Sequence, residues 1–256
     1  MDNIKIIADF FLISLSLTYT LFSPVANSSL TGNGFIRLIS NLSIGSLVIS
    51  LIISLVSGLA FTSPFILIKL LSIISLVLIT LFHKDVRSPF MWLLNLLVIF
   101  SLSFYIYLIA EGKILNFFFL YGSSLLLGII TYAMTLGHWY LVVPKLSEKP
   151  LIKAAIITWI ILAIKIAIST QSIISNLNFF EENTALGSGY AFNWMLLLMR
   201  LSFGYIVILG MSYFNWRLVR MRSIQSSTGI LYAMTFFVFI GELISSFMFF
   251  NYGLLI

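Results

Sequence analysis

Eight ionisable side chains lie in or at the ends of apolar stretches of this chain, and these are the residues whose types could carry chemistry. They are Asp9, Lys69, His83, Glu111, His138, Lys165, Arg200 and Glu242. Only 9% of the residues are charged, whereas 61% are hydrophobic. Because a charge at bilayer depth is costly, each of these side chains is a functional candidate for which a partner is expected.

The positions of the charges along their apolar stretches predict ion pairs. Arg200 and Glu242 lie at similar predicted depths in consecutive stretches, which predicts a buried bridge between them. Asp9 and Lys69 both lie about one turn inside the same predicted face and are expected to pair likewise. Lys165 lies near the midplane, where Glu242 is the carboxylate at its level. Three outcomes stay open for this lysine: it is neutral, it joins the Arg200 cluster, or it binds an anionic ligand.

The two histidines, His83 and His138, raise the possibility of a cofactor site. Axial ligation of haem b needs imidazoles on facing helices at similar depth, and the predicted offset here is roughly 7 Å at 1.5 Å per residue. That offset favours a second interpretation, a quinone head group bound by His138 with Trp139 or Tyr140 beside it. The competing interpretation places all four residues in an interfacial belt with no cofactor. The chain has no cysteine and no His-Glu-x-x-His pattern, so no metal site is expected.

The elements that must position these residues are membrane-spanning helices. A mean hydropathy of +1.12 excludes a soluble domain, and apolar runs of about 20 residues fit helices that cross a bilayer. We therefore predict an all-α polytopic transmembrane bundle that forms a single domain over residues 1–256. Its eight predicted spans cover residues 5–24, 36–62, 65–83, 90–111, 114–143, 151–177, 191–216 and 229–252.

The basic residues of the loops predict the orientation of the bundle. Nine of them fall in or beside odd-numbered loops, namely Arg37, Lys84, Arg87, Lys145, Lys149, Lys153, Arg217, Arg220 and Arg222. Only Lys5 and Lys113 fall on the opposite side. Since basic loops stay in the cytoplasm, both termini are predicted on the non-cytoplasmic side of an inner (cytoplasmic) membrane.

Proline and small-residue positions predict uninterrupted helices. All five prolines fall at or near the ends of predicted spans, where a missing N–H costs least. At α-helical spacing, Asn193, Arg200 and Gly204 share one face of the seventh span. Intact helices with polar stripes favour a rigid bundle over a transporter that uses broken helices.

These observations lead to one functional prediction and two rivals. The leading prediction is a non-catalytic subunit of a respiratory or electron-transfer assembly, which anchors partner subunits and holds a quinone or haem b near His138. The first rival is a small-solute or ion transporter that uses Lys165, Arg200 and Glu242. The second is a purely structural accessory subunit whose buried charges fix helix register. Membrane lipid and other protein subunits are the expected partners, and nucleic acid is not expected.

Overall fold

The computed structural model describes residues 3–26, 31–82, 89–143, 146–182 and 184–256. Its regular elements in these ranges are all helical, which confirms the predicted fold class. The α-helices are α1 (Asn3–Phe22), α2 (Asn33–Val56), α3 (Pro64–Phe82), α4 (Pro89–Ile109), α5 (Ile114–Val142), α6 (Lys149–Ser175), α7 (Tyr190–Leu201), α8 (Val207–Arg220) and α9 (Ile224–Tyr252). Short 3-10 turns follow α1 and α6, and a π-helical turn, Ser202–Ile206, joins α7 to α8.

Eight of the helical segments in the described ranges are long and apolar enough to cross a membrane, with α7, the π turn and α8 forming one of them. The chain is thus a multi-pass membrane protein, as predicted. Large apolar side chains point outward from the bundle, for example Ile74, Phe100 and Phe236, which are 58%, 69% and 64% exposed. In a bilayer this surface would contact lipid.

The predicted end of the second span was wrong by six residues, because apolar residues continue past the helix. Gly58 adopts a φ of 78°, a left-handed conformation that ends helices and that glycine adopts without steric cost. The backbone N–H groups of residues 57–59 bond back to carbonyls of residues 53–55 and close the helix there. The eighth span was also misplaced, since α9 begins five residues before the predicted start, at Ile224.

Helix α1 lies at the centre of the bundle, packed against α2, α4, α5 and α9. Of its most apolar window, 67% is buried, the largest share among the eight described spans. Two hydroxyl pairs join it to α5: Ser14 Oγ and Ser124 Oγ lie 2.7 Å apart, and Tyr19 Oη and Thr135 Oγ1 lie 2.9 Å apart. Hydroxyl pairs and small residues of this kind hold membrane helices together where the hydrophobic effect cannot.

The start of α1 and the end of α9 meet at one face of the bundle, which we call the terminal face. Asn3 Nδ2 donates to Asn251 Oδ1 at 2.9 Å. The turns that follow α2, α4 and α6 lie at the same face, because successive spans run in opposite directions. The loop charges predict that this face is the non-cytoplasmic one.

A substitution at Gly128 on α5 tests how closely α1 packs against this helix. A methyl group at this position would collide with the side chain of Thr18 on α1. We expect Gly128→Ala to lower the free energy of unfolding by about 1–3 kcal/mol, as overpacking does elsewhere. The measurement is equilibrium unfolding in mixed detergent micelles.

Gly229→Ala is the matched control, since Gly229 also lies in a long helix but has open space where a methyl group would go. It should leave stability unchanged or raise it slightly, because alanine has the higher helix propensity. Equal effects of the two substitutions would contradict the proposed tight contact.

Candidate functional site: two buried ionic clusters

The first cluster centres on Glu242 of α9. Lys165 Nζ lies 2.6 Å from Glu242 Oε2, and Arg200 Nη1 lies 3.0 Å from Glu242 Oε1. All three side chains are at most 1% exposed. The predicted Arg200–Glu242 bridge is confirmed, and of the three outcomes left open for Lys165, the structure shows that it joins this pair.

Hydroxyl groups surround these charges. Lys165 also donates to Ser123 Oγ at 2.5 Å. Arg200 Nη2 donates to Tyr205 Oη at 2.9 Å, and the guanidinium lies 4.3 Å from the centre of the Tyr205 ring. The Tyr205 hydroxyl in turn lies 2.5 Å from Ser169 Oγ. We call these six residues the Glu242 cluster: Ser123, Lys165, Ser169, Arg200, Tyr205 and Glu242.

The Glu242 cluster has a surplus of positive charge. With all groups ionised, two cations share one carboxylate, which leaves a formal charge of +1. Arg200 Nε is also buried and has no hydrogen-bond partner among the described residues. A buried charge without a counterpart, and a buried donor without an acceptor, are both costly, so this position calls for a functional explanation.

The π turn at Ser202–Ile206 places Tyr205 in the cluster. Five residues of regular α-helix would turn Tyr205 about 140° away from Arg200. A π turn takes one extra residue into the helical turn, so Tyr205 returns to the face that carries Arg200. The prediction of uninterrupted α-helices was therefore wrong in the seventh span, and the α-helical spacing that identified Arg200 and Gly204 missed Tyr205.

Two glycines make room for the guanidinium. A methyl group at Gly204 would collide with the Arg200 side chain, and one at Gly241 would collide with the backbone of Gly204. The backbones of α9 and the π turn therefore approach closely, as small residues allow in membrane bundles. This contact encloses Arg200 beside Glu242.

The second cluster joins α1, α2, α3 and α4. Asp9 Oδ1 lies 2.6 Å from Lys69 Nζ and accepts a 2.6 Å hydrogen bond from Ser50 Oγ, while the Tyr105 hydroxyl donates to Oδ2. Lys69 also donates to Ser54 Oγ at 2.5 Å and to the Ser50 carbonyl at 3.2 Å. The predicted Asp9–Lys69 pair is confirmed. We call these five residues the Asp9 cluster; its formal charge is zero.

Glu111 lies apart from both clusters, in the turn after α4 at the terminal face. It is exposed, it adopts a φ of 56°, and its carboxylate lies 3.1 Å from Lys113 Nζ. Such an exposed pair contributes little to stability.

The residues that were predicted to bind a quinone or haem do not converge on one site, because each of those in the described ranges contacts a different group of the protein. His138 is exposed, and its Nδ1 lies 3.0 Å from Tyr232 Oη. Trp139 Nε1 donates to the Thr31 carbonyl at 3.0 Å, and the buried Tyr140 hydroxyl donates to the Ser147 carbonyl at 2.7 Å. His83 lies outside the described residues.

Comparisons with known proteins give no further guide, since the chain matches no protein-family model, no curated protein and no solved structure.

The Asp9 cluster offers a test of buried pairing. We expect Lys69→Met to lower the free energy of unfolding by about 3–5 kcal/mol, because Asp9 is then buried without its cation. Combining Lys69→Met with Asp9→Asn should recover much of this loss, since no charge is then left unpaired. Unfolding in mixed detergent micelles measures both variants.

Lys113→Gln is the matched control, because it breaks an ion pair at an exposed site and should change stability little. If the double variant is no more stable than Lys69→Met alone, the two charges do not act as a pair.

Proposed function

We propose that this protein is an ion transporter whose ion-handling site is the Glu242 cluster. The observation that carries the proposal is the sharing of one buried carboxylate by Lys165 and Arg200. Ionisable groups inside a membrane bundle commonly mark ion pathways and proton relays. We also propose an inner-membrane location, with the terminal face outward as the loop charges predict.

The surplus charge can be neutralised in two ways, and each corresponds to a transported species. Lys165 can release a proton while Arg200 remains paired with Glu242. Alternatively, a small anion can accept from the unpartnered Arg200 Nε. Either event changes the charge of a buried site by one unit, which is the step that an ion carrier needs.

The π turn favours a Glu242 cluster that changes conformation during transport over one that has only a structural role. π turns are rare and occur frequently at functional sites, and this one carries Tyr205 and follows Arg200 directly. If the extra residue of the π turn moved along the helix, Tyr205 would rotate away from Arg200, and the guanidinium would lose one hydrogen-bond acceptor. In transporters, irregular helical backbone likewise lies beside the ion site.

Proteoliposome flux tests the proposal and separates the two ions. Proton flux is followed with an internal pH dye under a potassium diffusion potential, and anion flux with an internal chloride-sensitive dye. We expect wild-type protein to carry one of these ions. Glu242→Gln and Lys165→Met should reduce that flux more than about tenfold, which corresponds to about 1.4 kcal/mol in the barrier.

Two further variants separate an effect on flux from a loss of folding. Tyr205→Phe keeps both ion pairs and should still slow flux, because it removes the hydroxyl that Arg200 Nη2 contacts. Lys113→Gln, at the exposed pair, should leave flux unchanged. Wild-type protein that carries neither ion above empty liposomes, or folded Glu242 and Tyr205 variants with full flux, would refute the proposal.

A redox-anchoring subunit with a quinone site is the second candidate. The observation in its favour is the His138–Tyr232 contact, which lies on the outer surface of α5 and α9, where His138 is exposed and Tyr232 is 48% exposed. A quinone in the lipid could reach this pair and accept a hydrogen bond from it. In this role, partner subunits would supply electrons to the quinone. Haem b is the alternative cofactor for this role.

Quinone binding to the purified protein tests this candidate. We expect a short-chain ubiquinone to bind and His138→Ala or Tyr232→Phe to weaken binding about fivefold or more, as loss of a hydrogen bond of about 1 kcal/mol implies. Tyr213→Phe is the control, because Tyr213 is an exposed tyrosine on α8. Protein with no bound quinone, no haem absorption and no co-purifying subunit would exclude this role.

A further inference from the structure

A cavity of about 360 Å³ opens at the terminal face above the Asp9 cluster. Asp9 and Tyr105 line its inner part, and Asn3 and Glu111 lie where the chain reaches the terminal face. Since Asp9 itself is only 2% exposed, the cavity gives a small molecule a route to a buried carboxylate. Its volume lies within the range of small-molecule sites, near the lower end.

The lining of this cavity combines carboxylates with aromatic rings. Phe65, Tyr105 and Phe250 contribute three rings, and Asp9 and Glu111 contribute two carboxylates. The described lining residues include no lysine or arginine, and the basic partners of the two carboxylates, Lys69 and Lys113, lie outside the lining. Aromatic faces and carboxylates together are the groups that attract an organic cation.

The Asp9 carboxylate can accept one more hydrogen bond. Its Oδ1 accepts from Ser50 and Lys69, whereas its Oδ2 accepts from Tyr105 alone among the described residues. A carboxylate has about four accepting positions, so the position left over belongs to Oδ2. That oxygen is also the one bound by Tyr105, which lines the cavity.

We propose that the cavity binds a small organic cation, a protonated amine attached to an apolar or aromatic body. The ammonium group lies between Asp9 Oδ2 and the aromatic rings, with Glu111 attracting it at the entrance. The apolar body contacts Phe65 and Phe250. This site shares no residue with the Glu242 cluster, so the inference goes beyond the proposed ion transport and stands or falls separately.

A series of three matched probes tests the inference. Benzylamine, benzyl alcohol and benzoate have a similar size and ring but are cationic, neutral and anionic at neutral pH. Equilibrium binding to purified protein in detergent micelles is measured by microscale thermophoresis. We expect benzylamine to bind at least about tenfold more tightly than the other two, a difference of about 1.4 kcal/mol.

Substitutions in the cavity lining test whether benzylamine binds at this site. Glu111→Gln removes an exposed charge and should weaken benzylamine about two- to fivefold, and Phe250→Leu should weaken it by removing one ring. Glu148→Gln, which removes a carboxylate at the opposite face, should change nothing. No benzylamine binding at millimolar concentration, equal binding of benzyl alcohol, or unchanged binding to both Glu111→Gln and Phe250→Leu would overturn the proposal. None of these results depends on ion flux.

Discussion

The cost of burying charged groups in an apolar bundle is the constraint on which the structure depends. Each buried ionic group has to find its partners on neighbouring helices, because lipid offers none. Glu242 meets this requirement for Lys165 and Arg200 together, and Asp9 meets it for Lys69. The two clusters divide the helices between them: α1 to α4 around Asp9, and α5, α6, α7 and α9 with the π turn around Glu242. Ion pairs connect α1 with α3 and connect α6, α7 and α9, while hydroxyl groups of α2, α4 and α5 complete the two clusters.

Features that depend on the position of a residue along a helix axis could be predicted from the sequence. Hydropathy located the eight spans, and depth in those spans identified both carboxylates with their basic partners. Rotation about the axis was harder to predict. Tyr205 was missed because the π turn changes the angular spacing, and Tyr105 because the surroundings of α4 depend on tertiary packing. The end of α2 was missed because hydropathy does not register a left-handed glycine such as Gly58.

The interpretation of the His138 region shows the same limit. Consecutive helical residues point about 100° apart, so neighbours in sequence do not share a direction. His138 faces the surface, Trp139 contacts the carbonyl of Thr31, and Tyr140 contacts that of Ser147. Tyr232, the residue that the structure pairs with His138, comes from α9 and is 94 positions away in the chain.

The central place of α1 bears on how the protein is made. Helix α1 comes before the helices that enclose it in the chain, and it is the most enclosed of the eight described spans. Asp9 is translated before its partner Lys69, and the contact between α1 and α9 can form only after Asn251 has been translated. Until Lys69 is in place, Asp9 lacks the cation that it contacts in the folded protein. The burial of α1 is therefore completed only when helices made later in the chain have packed against it.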